Sequence, residues 1–309
     1  MLHFGAGRVA IVRRGALRHG RLMDVGDQLD HYLARIGLAA PAAPDAAGLL
    51  QVQAAHRQAI PFENLDVRLG RVIHSDSAQV FAKLVRARRG GFCFEHNRLL
   101  ADMLAALGFD CRLLLARVLL GDPPAVPPRT HCLVLVKLDG ADWIADAGFG
   151  AAYAPPMPLA DGALAQSGDG AQHRLRRIGA EGDVPGAWLL ERLGPKDAGD
   201  GRARSDHAFE AQYAFDLAQV ADADMALGCH WAATHAASRF TNVTVASRCL
   251  PDGFASLVDR ELSIWSAGGE RSKRSVADAA EYRALLADLF GLALSAKDVA
   301  ALPPFAAGG

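Results

Sequence analysis

The residues Arg89-Gly90-Gly91-Phe92-Cys93-Phe94-Glu95-His96-Asn97 place a cysteine directly after a Gly-Gly turn and just before a run with helical character, Asn97 to Leu107. At a helix N-terminus the backbone N–H groups and the helix dipole favour negative charge, so a thiol there is expected to lose its proton more easily. The two glycines allow a sharp turn and a close approach of another molecule to the sulfur. Downstream, Arg129-Thr130-His131-Cys132-Leu133-Val134-Leu135-Val136 opens an apolar strand on a histidine. Asp142-Trp143-Ile144-Ala145-Asp146-Ala147-Gly148-Phe149-Gly150 ends the next strand on an aspartate before a glycine-rich turn. The Asp139-Gly140 turn would fold these strands into a hairpin, bringing His131 and Asp146 to the same end. A carboxylate on one imidazole nitrogen leaves the other free to take the thiol proton, which is the arrangement of a Cys-His-Asp triad. Singly, each residue has a plainer reading: a buried structural thiol, a satisfied core histidine, a turn-forming aspartate.

The elements that would position these groups follow from periodicity. Leu29, Tyr32, Leu33 and Ile36 recur at helical spacing from Val25 to Ile36, and Gly37 stops that helix. Asp45 is placed to cap a second helix through Leu49, Leu50, Val52 and His56, ending before Pro61. Val80, Leu84 and Val85 predict a third helix over Ser77 to Arg88, and Asn97 to Leu107 a fourth, closed by Gly108. From Cys111 the pattern turns to strands: Leu113 to Leu120, His131 to Leu138, Trp143 to Asp146, His173 to Ile178, Trp188 to Leu193 and Ala208 to Phe215. The polar segment Gly194 to Ser205 reads as a mobile hairpin tip. A helix from Ala221 to His235 follows, then strands at Asn242 to Arg248, Gly253 to Val258 and Glu261 to Ser266, and a terminal helix from Ala277 to Phe290. Helices, then a sheet or barrel, then a mixed part define an α+β protein whose three regions pack as one unit.

The totals exclude several functions. The chain has 309 residues, 51% hydrophobic and 22% charged, with a formal net charge of −1, so no global field points to nucleic acid or a membrane surface. No apolar run reaches the roughly 20 residues a bilayer span needs. Five scattered cysteines (Cys93, Cys111, Cys132, Cys229, Cys249) suit free thiols in a reducing cytoplasm. His96 has metal-pair spacing from Cys93, but no second Cys/His pair matches it. His131 and Cys132 would also point to opposite faces of a strand, so no metal is expected. The Arg-rich residues 1–22 (Arg8, Arg13, Arg14, Arg18, Arg21) read as an unstructured extension preceding Met23-Asp24.

These motifs resemble the arylamine N-acetyltransferases, from about Asp24 to about Leu294. The Cys93 segment is similar to the family's nucleophile motif, with His131 and Asp146 at the family's spacings of 38 and 15 residues. His31-Tyr32-Leu33-Ala34-Arg35-Ile36-Gly37 is similar to the opening helix. His56-Arg57-Gln58-Ala59-Ile60-Pro61-Phe62-Glu63-Asn64-Leu65 is similar to a second signature, and Ser238-Arg239-Phe240-Thr241-Asn242 to a C-terminal one.

The resemblance implies a helical bundle with the nucleophile (23–108), a β-barrel with His131 and Asp146 (109–216) and an α/β lid (217–309), with a cysteine-protease-like triad. It also implies ping-pong acetyl transfer from acetyl-coenzyme A to a small arylamine or hydrazine. Cys93 would attack as a thiolate paired with protonated His131, with Asp146 orienting the ring, and in such surroundings a thiol pKa falls to roughly 3.5–7.5. Glu63 and Arg89 would form an ion pair bracing the nucleophile loop. Gly148 and Gly150 would lie beside the coenzyme, and Phe62 and Phe149 would face the acceptor. Two other readings stay open: an amide synthase releasing or cyclising a polyketide chain from a carrier protein, and a non-catalytic binding protein on the same scaffold. Gly194 to Ser205 departs from the family pattern, as does Ala232-Ala233-Thr234-His235-Ala236-Ala237, where an alanine pair replaces a common proline.

Overall fold

The computed structural model describes residues 25–150, 153–195, 202–266 and 271–306. The expected extension over 1–22, and residues 196–201 of the expected mobile tip, lie outside the described residues.

The first third is helical. Helix α1 (Val25–Ile36) buries Tyr32, Leu33 and Ile36 on one face and stops at Gly37, whose φ of +76° favours glycine. Helix α2 (Ala46–Ala59) is capped by the Asp45 carboxylate, which accepts from Gly48 N at 2.8 Å. A two-residue strand β1 (Phe62–Glu63) and a single turn α3 (Leu65–Arg68) follow. Helix α4 (Ser77–Phe81) runs on as one π-helical turn, Ala82–Arg86, so the expected regular helix over Ser77 to Arg88 is interrupted. Helix α5 (Cys93–Ala106) begins at the cysteine itself, four residues earlier than the apolar pattern indicated. The Glu95 carboxylate makes this possible by turning back to accept from Phe92 N at 3.1 Å, satisfying a donor that the helix start leaves free.

Eight strands come next: β2 (Asp110–Val118), β3 (His131–Leu138), β4 (Ala141–Ala145), β5 (Met157–Pro158), β6 (Leu164–Gln166), β7 (Gln172–Arg177), β8 (Trp188–Leu193) and β9 (Glu210–Phe215). They form one antiparallel sheet in the order β5-β4-β3-β2-β9-β8-β7-β6. Met157 near one edge shares a core with Leu175, Leu190 and Phe215 from the other half, so the sheet curls into a barrel. The β3–β4 hairpin turns at Asp139 and Gly140, both with positive φ, as a two-residue type I′ turn demands. Strand β3 serves two cores at once. Leu133 and Leu135 face the barrel interior, while Val134, Val136 and Leu138 pack on the helices.

The last third holds α6 (Asp222–Thr234), α7 (Arg239–Asn242), β10 (Val245–Leu250), β11 (Gly253–Val258), β12 (Glu261–Ser266), β13 (Arg271–Ser275), α8 (Ala279–Asp288) and α9 (Ala296–Ala301). The strand expected from Asn242 starts only at Val245, because the Ser238 hydroxyl accepts from Phe240 N and caps the short helix α7. The second sheet has the order β1-β10-β11-β12-β13. Strand β1 from the first third thus pairs with β10, Phe62 opposite Ser247 and Glu63 opposite Ala246. Met225, Cys229 and Ala232 of α6 join the core that contains Phe92, Cys93 and Phe94. The three parts therefore meet around Cys93.

Candidate active site

Cys93 occupies the first position of α5 and is buried, with its Sγ 3.7 Å from the Thr130 carbonyl oxygen. His131 opens β3 on the barrel-facing side, and Asp146 follows the last residue of β4. The hairpin brings the two together: His131 Nε2 lies 2.7 Å from Asp146 Oδ2. Nδ1 is thereby the nitrogen left for the thiol. The His131 ring is seated against Phe149 and Tyr213, with centroids 4.9 and 4.8 Å away. Cys93, Thr130 and His131 line one cavity, together with Phe62, Gly148, Phe149 and Gly150.

Burial opposes ionisation of Asp146, but His131, the Asn97 amide and Gly148 N–H hold its carboxyl below the usual value. Asn97 Nδ2 donates to Asp146 Oδ1 at 2.9 Å and to Cys132 O at 2.6 Å, while Asn97 Oδ1 accepts from Ala147 N at 2.9 Å. Gly148 N also donates to Asp146 Oδ1, at 2.8 Å. Gln53 of α2 accepts from Asp146 N at 2.7 Å. Arg57, one turn further along α2, donates to Ala147 O at 3.1 Å and to Gly150 O, and lies over the Tyr153 ring at 3.6 Å. Asn97, Gln53 and Arg57 hold the loop that carries Asp146, and the sequence reading gave none of them that role. Asn97 carried a usable signal, standing one helical turn after Cys93 and so on its face.

Burial and the helix start act in opposite directions on the Cys93 thiol. Burial pushes the Cys93 thiol well above its ordinary pKa, and the Asp146 carboxylate acts in the same direction. The backbone N–H groups of Phe94 and Cys132 pull it down, but not far enough. A helix start alone does not make a thiolate here.

Gly148 and Gly150 differ in what they require. A Cβ on Gly148 would stand 2.7 Å from Cys93 Cα and 2.8 Å from Asn97 Nδ2, so its missing side chain lets the Asp146 loop close on α5. Gly150 has φ +59° and faces the Phe62 ring, where a Cβ would meet only ordinary contacts at 3.7 Å. Gly148→Ala is expected to cost about 1–3 kcal/mol of stability, the usual cost of overpacking, and to lower the turnover rate. Urea unfolding beside initial rates measures both, and unchanged values would show that the helix gives way freely.

Phe62 is buried and stacks on His96 (6.1 Å, 18°), with Phe240 at 5.9 Å. His96 is committed to a buried chain. Its Nε2 is 3.1 Å from Pro61 O, its Nδ1 is 3.0 Å from His56 Nε2, and His56 Nδ1 is 2.9 Å from Tyr32 OH. A carbonyl only accepts, so every proton in the chain is fixed: His96 donates to Pro61, His56 to His96, and Tyr32 to His56. Burial lowers both imidazoles, His96 to about 3, and both rings are neutral.

Glu63 and Arg89 meet at 2.9 Å, with the other Glu63 oxygen accepting from Leu65 N at 2.7 Å. The pair extends into a network: Arg89 to Asp66 (3.2 Å), Asp66 to Lys83 (3.0 Å) and Lys83 to Glu95 (2.8 Å). Among the described residues, no group of three or more His, Cys, Asp or Glu side chains could hold a metal ion. Among them, too, no helix is long and apolar enough to cross a membrane.

A buried thiol, an imidazole and a carboxylate at the junction of a helical bundle and a barrel have the makings of an acyl-transferring thiol enzyme. The family model for N-acetyltransferases matches residues 45–299. The arylamine N-acetyltransferase of Escherichia coli K12 is 37% identical over 267 residues, 85% of this chain and 88% of that protein. The arylamine N-acetyltransferase / N-hydroxyarylamine O-acetyltransferase of Salmonella typhimurium is 34% identical, over 86% of this chain and 89% of that protein. The solved Salmonella typhimurium arylamine N-acetyltransferase superposes with a TM-score of 0.80 at 32% identity, covering 89% of this chain and 97% of that one. The Mycobacterium marinum enzyme in complex with CoA gives 0.77 at 30% identity, covering 88% and 96%. The chain belongs to the arylamine N-acetyltransferase family.

Proposed function

We propose that the protein transfers the acetyl group of acetyl-coenzyme A to the nitrogen of arylamines and hydrazines, by way of a thioester on Cys93. The observation that carries this reading is the shared cavity of Cys93 and His131, with Asp146 bonded to the far side of the imidazole. Cys93 Sγ attacks the acetyl carbonyl as its proton passes to His131, and Asp146 stabilises the imidazolium. The departing coenzyme thiol takes that proton back. In the second half, the amine nitrogen attacks the acetyl-cysteine, His131 accepts a proton from it, and the Cys93 sulfur leaves. An arylamine is weakly basic and neutral at pH 7, so its nitrogen attacks without prior deprotonation.

Phe149, packed on His131, and Phe62 are suited to hold the aromatic acceptor, and Gly150 leaves room for the thioester arm. Glu63 and Arg89 brace the turn before α5. The free thiols suit a reducing compartment, and we read the cytoplasm as the place of action.

Mass spectrometry of the protein mixed with acetyl-coenzyme A tests the reading. One acetyl group on Cys93, discharged by added arylamine, is the expected result. An unlabelled protein, or a label lost to water equally fast with and without amine, overturns it.

A further inference from the structure

The wall of the Cys93 cavity opposite the barrel is formed by β10 and β11. Side chains alternate along β10: Ala246 packs into the core with Leu65 and Leu257, so Val245 and Ser247 point the other way, toward the cavity they line. Ser256 of β11 is the direct partner of Ser247 and lines the same wall. The remainder of the lining is apolar for the most part, with Phe62, Val118, Leu120, Phe149, Phe240 and Val245, and it also includes Arg202 and Arg239. In this setting Ser247 is only 2% exposed, and its Oγ has no hydrogen-bond partner. A buried hydroxyl without a partner is costly, and a ligand that pairs with it removes that cost.

We propose that Ser247 is a specificity-determining residue, selecting acceptor amines whose ring carries a hydrogen-bonding substituent, such as a hydroxyl or carboxamide, over alkyl-substituted ones. The inference rests on amine acetylation in this cavity and adds the kind of amine. A hydroxyl both donates and accepts, so Ser247 pairs with either kind of group.

The test compares kcat/KM for each ring isomer of aminophenol with the same isomer of toluidine, in the wild-type protein and in Ser247→Ala. Hydroxyl and methyl are close in size. Their different effects on amine nucleophilicity are common to both proteins and cancel in the ratio of ratios. At the isomer that brings its substituent to β10–β11, the hydroxyl preference should fall about tenfold in Ser247→Ala, as expected for one buried hydrogen bond. Ser247→Thr keeps the hydroxyl and should keep the preference, and it serves where the alanine variant folds poorly. A preference unchanged within about twofold at every isomer in Ser247→Ala, or lost equally in Ser247→Thr, overturns the assignment. Coenzyme release without amine is measured in parallel. If acetyl-Cys93 does not form in the wild-type protein, the acetyl-transfer reading has failed. If it forms and the preference does not move, only the role of Ser247 has failed.

Discussion

Asp146→Asn is expected to lower kcat/KM for acetyl transfer by about 10³–10⁴-fold while the protein stays folded. Asp146 Oδ1 accepts from Asn97 Nδ2 and Gly148 N, and Oδ2 meets His131 Nε2. An asparagine has one oxygen, and the two fixed donors claim it. Its amide nitrogen then faces His131 Nε2, which must become an acceptor. The imidazole proton is forced onto Nδ1, the nitrogen left for the thiol, so the base points a donor where an acceptor is needed. The anion that would stabilise the imidazolium is lost as well. Burial already raises the pKa of the Cys93 thiol, so loss of that support bears directly on forming the thiolate. Cys93→Ala, which removes the proposed acceptor of the acetyl group altogether, sets the floor for the comparison. Initial rates and thermal melting of the three proteins check the expectation. A variant within about tenfold of wild type would mean that Asp146 orients nothing of consequence.

Much of this site was legible in the sequence because its members stand beside strong local signals. Cys93 follows a Gly-Gly turn, and His131 and Asp146 flank an Asp-Gly hairpin whose two-residue turn fixes the pairing. The helices α1 and α2 carried a periodic apolar face and, for α2, a capping aspartate. What stayed hidden depends on partners far along the chain. Arg57 meets the carbonyls of Ala147 and Gly150 some 90 residues away, and nothing near Arg57 marks that encounter. Strand β13 (Arg271–Ser275) is an exposed, basic edge strand without the apolar alternation by which strands are recognised. The π-helical turn at Ala82–Arg86 was hidden for a different reason. Val80, Leu84 and Val85 satisfy an ordinary helical period, so nothing in their spacing marks the turn, which carries Lys83.

Lys83 leads to the second large effect: Lys83→Met is expected to cost about 3–5 kcal/mol of stability above neutral pH, the usual cost of stripping one partner from a buried charge pair. Its ammonium lies 2.8 Å from Glu95 and 3.0 Å from Asp66. Burial works against that charge, but Glu95, Glu63 and Asp66 outweigh it and hold the Lys83 pKa above the ordinary lysine value. Glu95 shows the opposite balance. Burial pushes its carboxyl up to about 7 despite the pull of Lys83. Because the folded value is raised, the unfolded chain releases this proton first. Stability contributed by the protonated form is full below the unfolded pKa and is lost as pH rises to about 7. Without Lys83 the Phe92 N–H is left to oppose the burial of Glu95, its folded pKa rises further, and the loss continues above neutrality. The penalty of Lys83→Met should therefore grow between about pH 5, where Glu95 is protonated in both proteins, and about pH 8. Activity should fall with it, because Glu95 also closes the first turn of α5 by accepting from Phe92 N, next to the nucleophile. Urea unfolding at several pH values measures the difference. A penalty that stays constant from about pH 5 to about pH 8 would show that Glu95 does not titrate against Lys83, and that the network braces the Cys93 turn by packing alone.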